Sequence, residues 1–459
     1  SDDIQVNQGS IEGTTPLLIT CFHGHLEVVE MLLKVDGIQV NQANNYGWTP
    51  LYMACWQGHL KIVNMILAMG GLQVNQSTNE GVTPLNMACG EGHLKIIEKL
   101  LAVDDIQVNQ ATVDGWTPLY KACDQGHLKV VEMLLDVDGI QVNQALNNGY
   151  TPLFVASGKG HIKITEMLLA VDGVQVNQAG NDGVTPLSAT CQEGHWEVVE
   201  MLLAMGGIQV NQADNAGFTP LSVACWSRRF KVLELLLAMD GIQVNQVANN
   251  GNTPLHIACN GGHLKVLEML LAVDDIQVNQ VDSNGVTPLR MACRQGRLKV
   301  VEMLLAVVGI QVNQADDNGV TPLSIACHGG HLKVVELVLA MDGVQVNQAD
   351  GKGVTPLSIA CHKGQLKVVE LLLAVVGIQV NQADINGLTP LMVATFQSHI
   401  DIVIQFLQHG IGHNNTNEWF CINKIKPSGR IALYKYALLL PQQHQPLLDF
   451  HSCLLSAKN

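Results

Sequence analysis

The chain has 459 residues, of which 47% are hydrophobic, 14% charged and 4% aromatic, and its net charge at pH 7 is -15. This composition is too apolar for a disordered protein, and its acidity argues against nucleic acid as a partner, because nucleic-acid binding relies on Lys and Arg. No apolar run reaches the ~18 residues that a membrane span requires, and no secretory signal is recognisable. We therefore expect a cytoplasmic protein without a membrane span, with the nucleus as the alternative compartment. Because the chain starts at Ser1, without Met and inside a repeat, we expect a fragment or a gene model cut at its start.

A repeat of 34 residues accounts for most of the chain. The tripeptide Thr-Pro-Leu occurs twelve times at this constant interval, without an insertion. The threonines of repeats one to twelve are Thr15, Thr49, Thr83, Thr117, Thr151, Thr185, Thr219, Thr253, Thr287, Thr321, Thr355 and Thr389. A unit this short cannot bury its own apolar face, so successive units must stack and stability depends on contacts between neighbours. One continuous array is therefore expected instead of three separate domains.

Repeat ten shows how the sequence specifies the helices of each unit. Thr321 followed by Pro322 predicts a helix start, because Thr is a favourable N-cap and Pro fits the first helical position. Gly330 predicts a break after this helix. Apolar residues at helical spacing then predict a second helix over about residues 331–340. Each unit is therefore predicted to contain two antiparallel helices.

An arm is predicted to connect one pair of helices to the next. Gly343 is expected to end the second helix, since glycine is favoured just past a helix C-terminus. Residues 344–348 alternate apolar and polar side chains, which predicts an extended segment. A turn is expected at Asp350-Gly351, because Asp and Gly favour turn conformations.

The unit resembles the ankyrin repeat. The resemblance rests on the pattern T-P-L-x-x-A-x-x-x-G-H-L-x-V-V-E-x-L-L, followed by G-x-x-V-N and an N-G or D-G turn. It covers about residues 1–411 and implies an all-α repeat solenoid of stacked helix-turn-helix repeats with hairpin or extended-loop arms. A partial arm would precede the first repeat, and the degenerate last repeat would serve as a cap. Residues 412–459 do not repeat and are expected to be a tail, either with a short capping helix at 431–440 or disordered.

The sequence departs from the family pattern in three respects. The period is 34 residues where the family has 33, only His256 occupies the histidine position of T-P-L-H, and Cys replaces the second alanine in ten copies. Because the additional residue recurs in every unit, register between neighbours is preserved. We expect a regular curved array with a slightly altered superhelical pitch.

Ten of the twelve cysteines occupy one position of the repeat. They are Cys21, Cys55, Cys89, Cys123, Cys191, Cys225, Cys259, Cys293, Cys327 and Cys361. Stacked repeats would separate them by ~10 Å, beyond the ~7 Å limit between Cα atoms of a disulfide, and local pairs of zinc ligands are missing. We expect buried, reduced thiols that pack as small apolar residues. The alternative is a redox sensor, which requires thiols that react in the native state.

Histidine is equally periodic. Nine of the seventeen begin a second helix, from His25 to His399, which the family resemblance explains as a structural feature. The candidate pairs for weak metal chelation are His328 with His331 and His409 with His413. No cluster of carboxylates or thiols lies beside them, and we find no nucleophile, phosphate-loop, dinucleotide or zinc-protease motif. We therefore expect a non-enzymatic protein without metal or cofactor.

The residues that vary between copies are the candidates for partner binding. In the ankyrin family, partners usually bind the concave face formed by hairpin tips and first helices. Twelve of the fifteen aromatic residues up to 411 lie before a repeat threonine, after a T-P-L, after the Cys-aligned position, or at the tip residue Tyr46. The predicted partner-binding residues, which include two arginines at these positions, are Tyr46, Trp48, Tyr52, Trp56, Trp116, Tyr120, Tyr150, Phe154, Phe218, Trp226, Arg290 and Arg294. The alternative is that the rings only brace the stack. Trp196 and Phe230 replace a leucine of the second helix and are expected in the core.

Charge is distributed unevenly along the array. Residues 1–204 carry a net charge of -14, whereas residues 205–411 carry -4. Repeats two to seven are therefore predicted to form an acidic, aromatic groove for a protein or peptide with apolar anchors and basic flanks, followed by a polar surface with Arg and His. The predicted function is that of a monomeric protein–protein interaction scaffold or adaptor. The alternative is the truncated regulatory or targeting array of a larger enzyme or membrane protein.

Repeat seven is irregular between its two helices. It reads Trp226-Ser227-Arg228-Arg229-Phe230 where most other copies have Gly-His-Leu at the last three positions. Arg228 replaces a glycine that is expected to need a positive φ, so the turn must be strained or must change shape. The segment is a hinge, a partner site or tolerated sequence drift.

Overall fold

The computed structural model describes residues 5–408 and is built from two compact units. Unit 1 covers residues 5–242 and unit 2 covers residues 243–408. The described residues form twenty-four helices and no β-strand, and every repeat contributes two helices. The predicted all-α repeat architecture is confirmed. The tail predicted at 412–459 lies outside the described residues.

Unit 1 contains helices α1 to α14, and unit 2 contains helices α15 to α24. The first helices of the repeats in unit 1 are α1 (Pro16–His23), α3 (Pro50–Gln57), α5 (Pro84–Glu91), α7 (Pro118–Gln125), α9 (Pro152–Gly158), α11 (Pro186–Glu193) and α13 (Pro220–Ser227). The second helices are α2 (Leu26–Leu33), α4 (Leu60–Leu67), α6 (Leu94–Leu101), α8 (Leu128–Leu135), α10 (Ile162–Leu169), α12 (Trp196–Leu203) and α14 (Phe230–Leu237).

Unit 2 repeats the same alternation. Its first helices are α15 (Pro254–Gly261), α17 (Pro288–Gln295), α19 (Pro322–Gly329), α21 (Pro356–Lys363) and α23 (Pro390–Phe396). Its second helices are α16 (Leu264–Leu271), α18 (Leu298–Leu305), α20 (Leu332–Leu339), α22 (Leu366–Leu373) and α24 (Ile400–Gln408). Each first helix contacts the first helix of the neighbouring repeat within its unit, as α17 and α19 do.

The first helices begin where the Thr-Pro pair predicts. In repeat ten, Thr321 is the N-cap and its hydroxyl accepts a hydrogen bond of 3.1 Å from the Ser324 N–H. Pro322 is the first residue of the helix, and Gly330 ends it in the left-handed conformation with φ 69°. The same N-cap bond occurs in all twelve first helices. Because it joins residues only three apart, each helix start is specified by its own sequence and needs no tertiary contact.

The end of the second helix and the arm differ from the sequence prediction. Helix α20 ends at Leu339 with Ala340 as its C-cap, so the prediction that Gly343 ends it is wrong. Gly343 lies in the next turn at φ 77°, a conformation that glycine adopts readily. The arm turns rather than extends, because the Gln348 N–H donates to the Gln345 carbonyl at 3.1 Å.

The core of each unit is formed by the same positions of successive repeats. In repeat two, Leu51, Ala54 and Cys55 of the first helix and Val63 and Ile66 of the second are at most 1% exposed. Burying one such aliphatic side chain contributes about 1.5–3 kcal/mol. Because the pattern recurs in each copy, the core continues from repeat to repeat inside a unit.

Two ladders of polar side chains connect neighbouring repeats. Asn41 donates from Nδ2 to the Gly71 carbonyl at 2.8 Å and accepts from the Gln73 N–H at 2.9 Å, and the asparagines of later arms make the same pair of bonds. His59 Nε2 lies 3.1 Å from the Phe22 carbonyl, and the equivalent histidine and carbonyl of the next repeat are separated by the same distance. The additional residue of the period is thus accommodated regularly within each unit, and the repeated histidines have a structural role.

Repeat seven keeps the turn geometry of its neighbours despite its different sequence. Arg228 adopts φ 56°, in the left-handed region where the equivalent Gly24 has φ 75°. The prediction of a strained turn is confirmed, since an L-residue costs roughly 1–2 kcal/mol in this conformation. Ser398 adopts φ 63° at the equivalent position of repeat twelve, which was not predicted. Arg229 replaces the bridging histidine and donates from Nε to the Gln192 carbonyl at 2.8 Å.

Trp196 and Phe230 are not core residues, so that prediction is wrong. Their side chains are 39% and 44% exposed. Leu94 at the same position of repeat three is 40% exposed, which shows that the first residue of a second helix lies at the solvent side of the stack. An aromatic side chain at this position projects outward because the core is already filled by the residues that follow it.

Candidate protein-binding face

An aromatic cluster joins repeats one and two of unit 1. The rings of Tyr46 and Trp48 stack with centroids 4.9 Å apart. Trp56 contacts three rings, with centroid distances of 5.9 Å to Trp48, 6.0 Å to Phe22 and 6.2 Å to Tyr52. Tyr46 is 48% exposed, whereas Tyr52 is buried. The cluster therefore braces two repeats and also presents an aromatic surface to solvent.

A shallow depression of about 290 Å³ follows over repeats two to four. Its lining includes Trp116, the carboxylates of Glu80 and Asp114, and Lys121. Lys121 Nζ lies 4.6 Å from the centre of the Trp116 ring, a cation–π contact. The rings of Tyr120 and Trp116 pack edge to face with centroids 4.9 Å apart, but Tyr120 itself is buried. Trp116 is therefore the ring that a partner can reach in this depression.

A larger depression on this face has a volume of about 830 Å³ and runs over repeats four to six. We call it the Tyr150 groove. Tyr150 stacks on Phe154 with ring centroids 4.0 Å apart and an interplanar angle of 5°, and both rings are half-buried. Its lining includes Asp124, Tyr150, Phe154, Lys159, Asp182 and Glu193.

The charged groups of the Tyr150 groove, its histidines apart, are three carboxylates and one ammonium group. The Tyr150 hydroxyl donates to Asp182 Oδ2 at 2.6 Å, and this bond, with burial and the charge of Asp182, raises the pKa of Tyr150 to about 12. Lys159 Nζ forms an ion pair of 2.6 Å with Asp124 Oδ1 and also donates to the Asp124 carbonyl. Glu193 adds a third carboxylate. Three carboxylates face one ammonium group, so the groove favours a positively charged ligand.

A missing side chain gives the groove its depth. Gly158 ends helix α9 at the position held by Trp56 in repeat two and by Trp226 in repeat seven. A Cβ atom added at Gly158 would meet only the Cβ of Ala189, at the ordinary contact distance of 3.7 Å. Space that a tryptophan fills in two other repeats is thus open here, and the helical backbone at Gly158 can accept a larger residue.

Phe218 and Trp226 lie in repeat seven at the end of unit 1. Phe218 is half-buried at the turn that precedes its first helix. Trp226 is 68% exposed, the most accessible of the predicted aromatic residues. Both remain candidates for contact with a partner.

Arg290 does not lie on an exposed surface. Its side chain and that of Asp316 are 7% and 5% exposed and form an ion pair, and Arg290 Nε donates to the Val320 carbonyl at 3.0 Å. The same position after T-P-L bonds the equivalent carbonyl in two other repeats, from Asn86 at 3.0 Å and from His256 at 2.9 Å. A polar side chain here connects adjacent repeats, and Arg290 is held in the interior by these bonds.

Arg294 belongs to a cationic stripe on unit 2. Arg294, His328 and His362 are exposed at equivalent positions of repeats nine to eleven. Partial burial, followed by the positive charges of Lys363, His362 and Arg294, lowers the pKa of His328. The stripe favours acidic ligands, in contrast to the groove of unit 1.

The repeated cysteines are buried as predicted. All ten are free thiols of 0% exposure. Burial raises the pKa of Cys21 and Cys293 to about 12 and those of the others further, which suppresses the reactive thiolate. Within residues 5–408, no group of three His, Cys, Asp or Glu side chains is placed to hold a metal ion. No helix in this range is long and apolar enough to cross a membrane.

A family profile described as ankyrin repeats (3 copies) matches the chain in seven overlapping segments. The matched residues are 2–78, 66–145, 105–179, 173–248, 241–316, 306–384 and 343–418. The chain belongs to the ankyrin-repeat family, whose repeats are generally protein–protein interaction modules. No curated protein is matched by the chain.

The sequence patterns identified the rings of this face and predicted an acidic groove, but they did not identify which polar side chains pair within it. Asp182 and Lys159 lie outside the three variable positions, and their proximity to Tyr150 and Asp124 follows from the stacking of adjacent repeats. The sequence spacing of both pairs is close to one period, and residues about one period apart face each other in a solenoid. Both pairs could have been predicted from this spacing. Tyr150 and Asp182 are 32 residues apart, and Asp124 and Lys159 are 35 apart.

Proposed function

We propose that this protein is a non-enzymatic scaffold or adaptor that binds a protein partner through the face of unit 1 described above. The observation that carries the proposal is the Tyr150 groove, where stacked rings lie beside three carboxylates. Buried aromatic anchors supply most of the affinity at protein interfaces, and complementary charge supplies specificity and speed of association. The partner is expected to contain apolar anchors with Lys or Arg beside them.

The proposal concentrates on the rings that solvent reaches. Tyr46, Trp116, Tyr150 and Trp226 are at least partly exposed. Tyr52 and Tyr120 are buried, and their rings contact Trp56 and Trp116 respectively. These rings therefore combine bracing of the stack with binding. Arg294, on the cationic stripe of unit 2, is proposed to contact an acidic part of the partner.

The proposed setting is the cytoplasm, with the protein as a monomer. Ten buried free thiols at one repeat position are compatible with a reducing compartment, where disulfides do not persist. Neither a cofactor nor a metal enters the proposed function.

Selection of random peptides displayed on phage tests the proposal. The bait is the full chain, and the comparison is a Gly158→Trp variant, in which the new side chain occupies the groove without straining the helix. Asn260→Trp, the same substitution at the equivalent exposed position of unit 2, serves as the matched control. We expect selected peptides rich in apolar residues and Lys or Arg, whose affinity falls at least about tenfold with Gly158→Trp and is unchanged with Asn260→Trp.

Two results would contradict this function. Peptides that bind equally well to the Gly158→Trp variant would show that the groove is not the binding site. Charge-reversed peptides that bind as well as the selected ones would remove the electrostatic part of the proposal, because complementary charge predicts discrimination between them.

A further inference from the structure

The cationic stripe of unit 2 continues into an apolar patch in repeat twelve. Phe396 occupies the next equivalent position after His362 and is 65% exposed. Leu388, at the turn that precedes the same helix, is 40% exposed. In repeat two the equivalent residues Trp48 and Trp56 have ring centroids 5.9 Å apart, so these two positions of a repeat are neighbours. A row of three basic side chains therefore ends in an exposed apolar patch.

The row is regular because the first helices of these repeats stack. Helix α17 contacts α19, α19 contacts α21, and α21 contacts α23. Packed helices lie about 8–10 Å apart, so the three intervals from Arg294 to Phe396 cover about 24–30 Å. An extended chain advances about 3.3–3.6 Å per residue, so about seven to nine residues cover this distance and about every third residue meets a new repeat.

The permanent charges at the stripe have no carboxylate partner. Arg294 and Lys363 are exposed and form no ion pair with any of the residues 5–408. The carboxylates of the neighbouring turns are engaged elsewhere, since Asp316 belongs to the buried ion pair described above. Asp282 and Asp350 each accept two N–H bonds of their own turns, at 2.8 and 2.9 Å. The stripe therefore offers its positive charge to a ligand.

His328 couples the stripe to pH. Partial burial, followed by the charges of Lys363, His362 and Arg294, lowers the pKa of His328. The other basic group beside it is His331, at the turn before α20, whose Nε2 lies 3.2 Å from the Arg294 carbonyl. A carboxylate bound at the stripe favours the protonated ring, because opposite charges stabilise each other. Binding of an acidic ligand is therefore accompanied by proton uptake, and affinity increases as the pH falls below about 6.5.

We propose that the cationic stripe and the apolar patch bind an extended acidic segment of a partner protein. The segment has a carboxylate at about every third residue and an apolar residue at the end that meets Phe396. The inference deepens the proposed function, because it gives a spacing and a direction to the acidic part of the partner that Arg294 contacts. A peptide is favoured over nucleic acid, since Arg294 and Lys363 supply two permanent charges and nucleic-acid binding usually requires more.

Fluorescence anisotropy with synthetic peptides and the full chain tests the site. The probe contains three glutamates at every third position, separated by Gly and Ser and followed by a terminal Leu, and the comparison peptide has Gln in place of each Glu. We expect Arg294→Glu to weaken binding of the probe by about tenfold or more, and Phe396→Ser by about threefold. Lys299→Glu makes the same change of charge on the second helix of repeat nine, where Lys299 is 69% exposed, and should leave the affinity unchanged. Equal binding of the Gln peptide, or equal effects of the two charge reversals, would overturn the proposal.

The pH dependence provides a second measurement. The probe should bind the unmodified chain about threefold or more tightly at pH 5.5 than at pH 7.5, while its glutamates remain ionised. The double variant His328→Lys, His362→Lys has permanent charges at both positions, so it should bind at pH 7.5 at least as tightly as the unmodified chain does at pH 5.5. Persistence of the full pH dependence in the double variant would contradict the role of the stripe.

The remaining outcomes separate this inference from its alternatives. An oligothymidylate that displaces the probe and binds more tightly would overturn the proposal in favour of nucleic acid. Failure of the probe to bind, while the phage-selected peptides still depend on Gly158, would refute the acidic-segment site and leave the proposed function standing. Probe binding that depends on Arg294, while the selected peptides do not depend on Gly158, would support the stripe and refute the groove.

Discussion

Removal of the Arg290 side chain tests whether this residue braces the stack. Its partner Asp316 is 5% exposed while the pair is intact, and breaking a buried ion pair from one side typically costs about 3–5 kcal/mol. Asp316 keeps two backbone donors, because its Oδ1 accepts from the Asn318 N–H at 3.0 Å and the Val320 N–H at 2.8 Å. These retained bonds place the expected cost of Arg290→Ala near the lower end, at about 3 kcal/mol.

Hydrogen exchange read by mass spectrometry is the appropriate assay, since repeat arrays need not unfold in one step. A local loss of about 3 kcal/mol speeds exchange roughly a hundredfold in the amides of helices α17 and α19, which Arg290 and its partner connect. Lys333→Ala is the matched control. Its pair with Glu336 is 71% and 38% exposed, so its removal should cost about 0.5 kcal/mol and change exchange only about twofold.

A small effect of Arg290→Ala would refute this reasoning. If exchange in α17 and α19 changed no more than with Lys333→Ala, the ion pair would contribute little to the stack. Arg290 would then be better explained as a residue that binds a partner.

Three further predictions concern stability and reactivity. Burial lowers the pKa of His256 from 6.5, although its bond to the Val286 carbonyl and the charge of Asp282 both act in the opposite direction. The folded state therefore binds fewer protons at this histidine than the unfolded state does. The stability that neutral His256 contributes is fully present above the pKa of the unfolded state. It decreases as the pH falls below about 6.5, by at most about 1.4 kcal/mol per pH unit. Hydrogen exchange around α15 should detect this decrease. Arg228→Gly should raise the melting temperature, because relief of the left-handed strain exceeds the added chain entropy by about 0.5–1 kcal/mol. The ten buried cysteines should resist a thiol reagent in native protein and react together in denaturant, as measured by peptide mass spectrometry.

Each of these predictions has a defined contrary outcome. His256→Ser, which copies the serine of neighbouring repeats, should lose the pH dependence, and its persistence would assign the effect to another group. Ser398→Gly should stabilise repeat twelve as Arg228→Gly does repeat seven, and destabilisation by both would show that the left-handed strain is negligible. Rapid native labelling of even one buried cysteine would revive the redox-sensor alternative for that thiol.

Features that depend on a few adjacent residues could be predicted from the sequence. The Thr-Pro start of each first helix is local, since the Thr321 hydroxyl caps an N–H only three residues away. The burial of Cys55 and its counterparts follows from their helical spacing, and the positive φ of Arg228 follows from the glycines at equivalent positions. The constant period then identifies the stacked architecture, because one regular unit must meet the next in the same way each time.

Features that depend on two repeats at once required the tertiary structure. Arg290 and Tyr120 occupy variable positions like the exposed Trp226, yet both are buried because the neighbouring repeat covers them. The outward position of Trp196 and the ion pair between Asp124 and Lys159 have the same origin. Sequence alone shows which residues vary, whereas solvent exposure and charge pairing depend on the adjacent turn of the stack, which lies a whole period away along the chain.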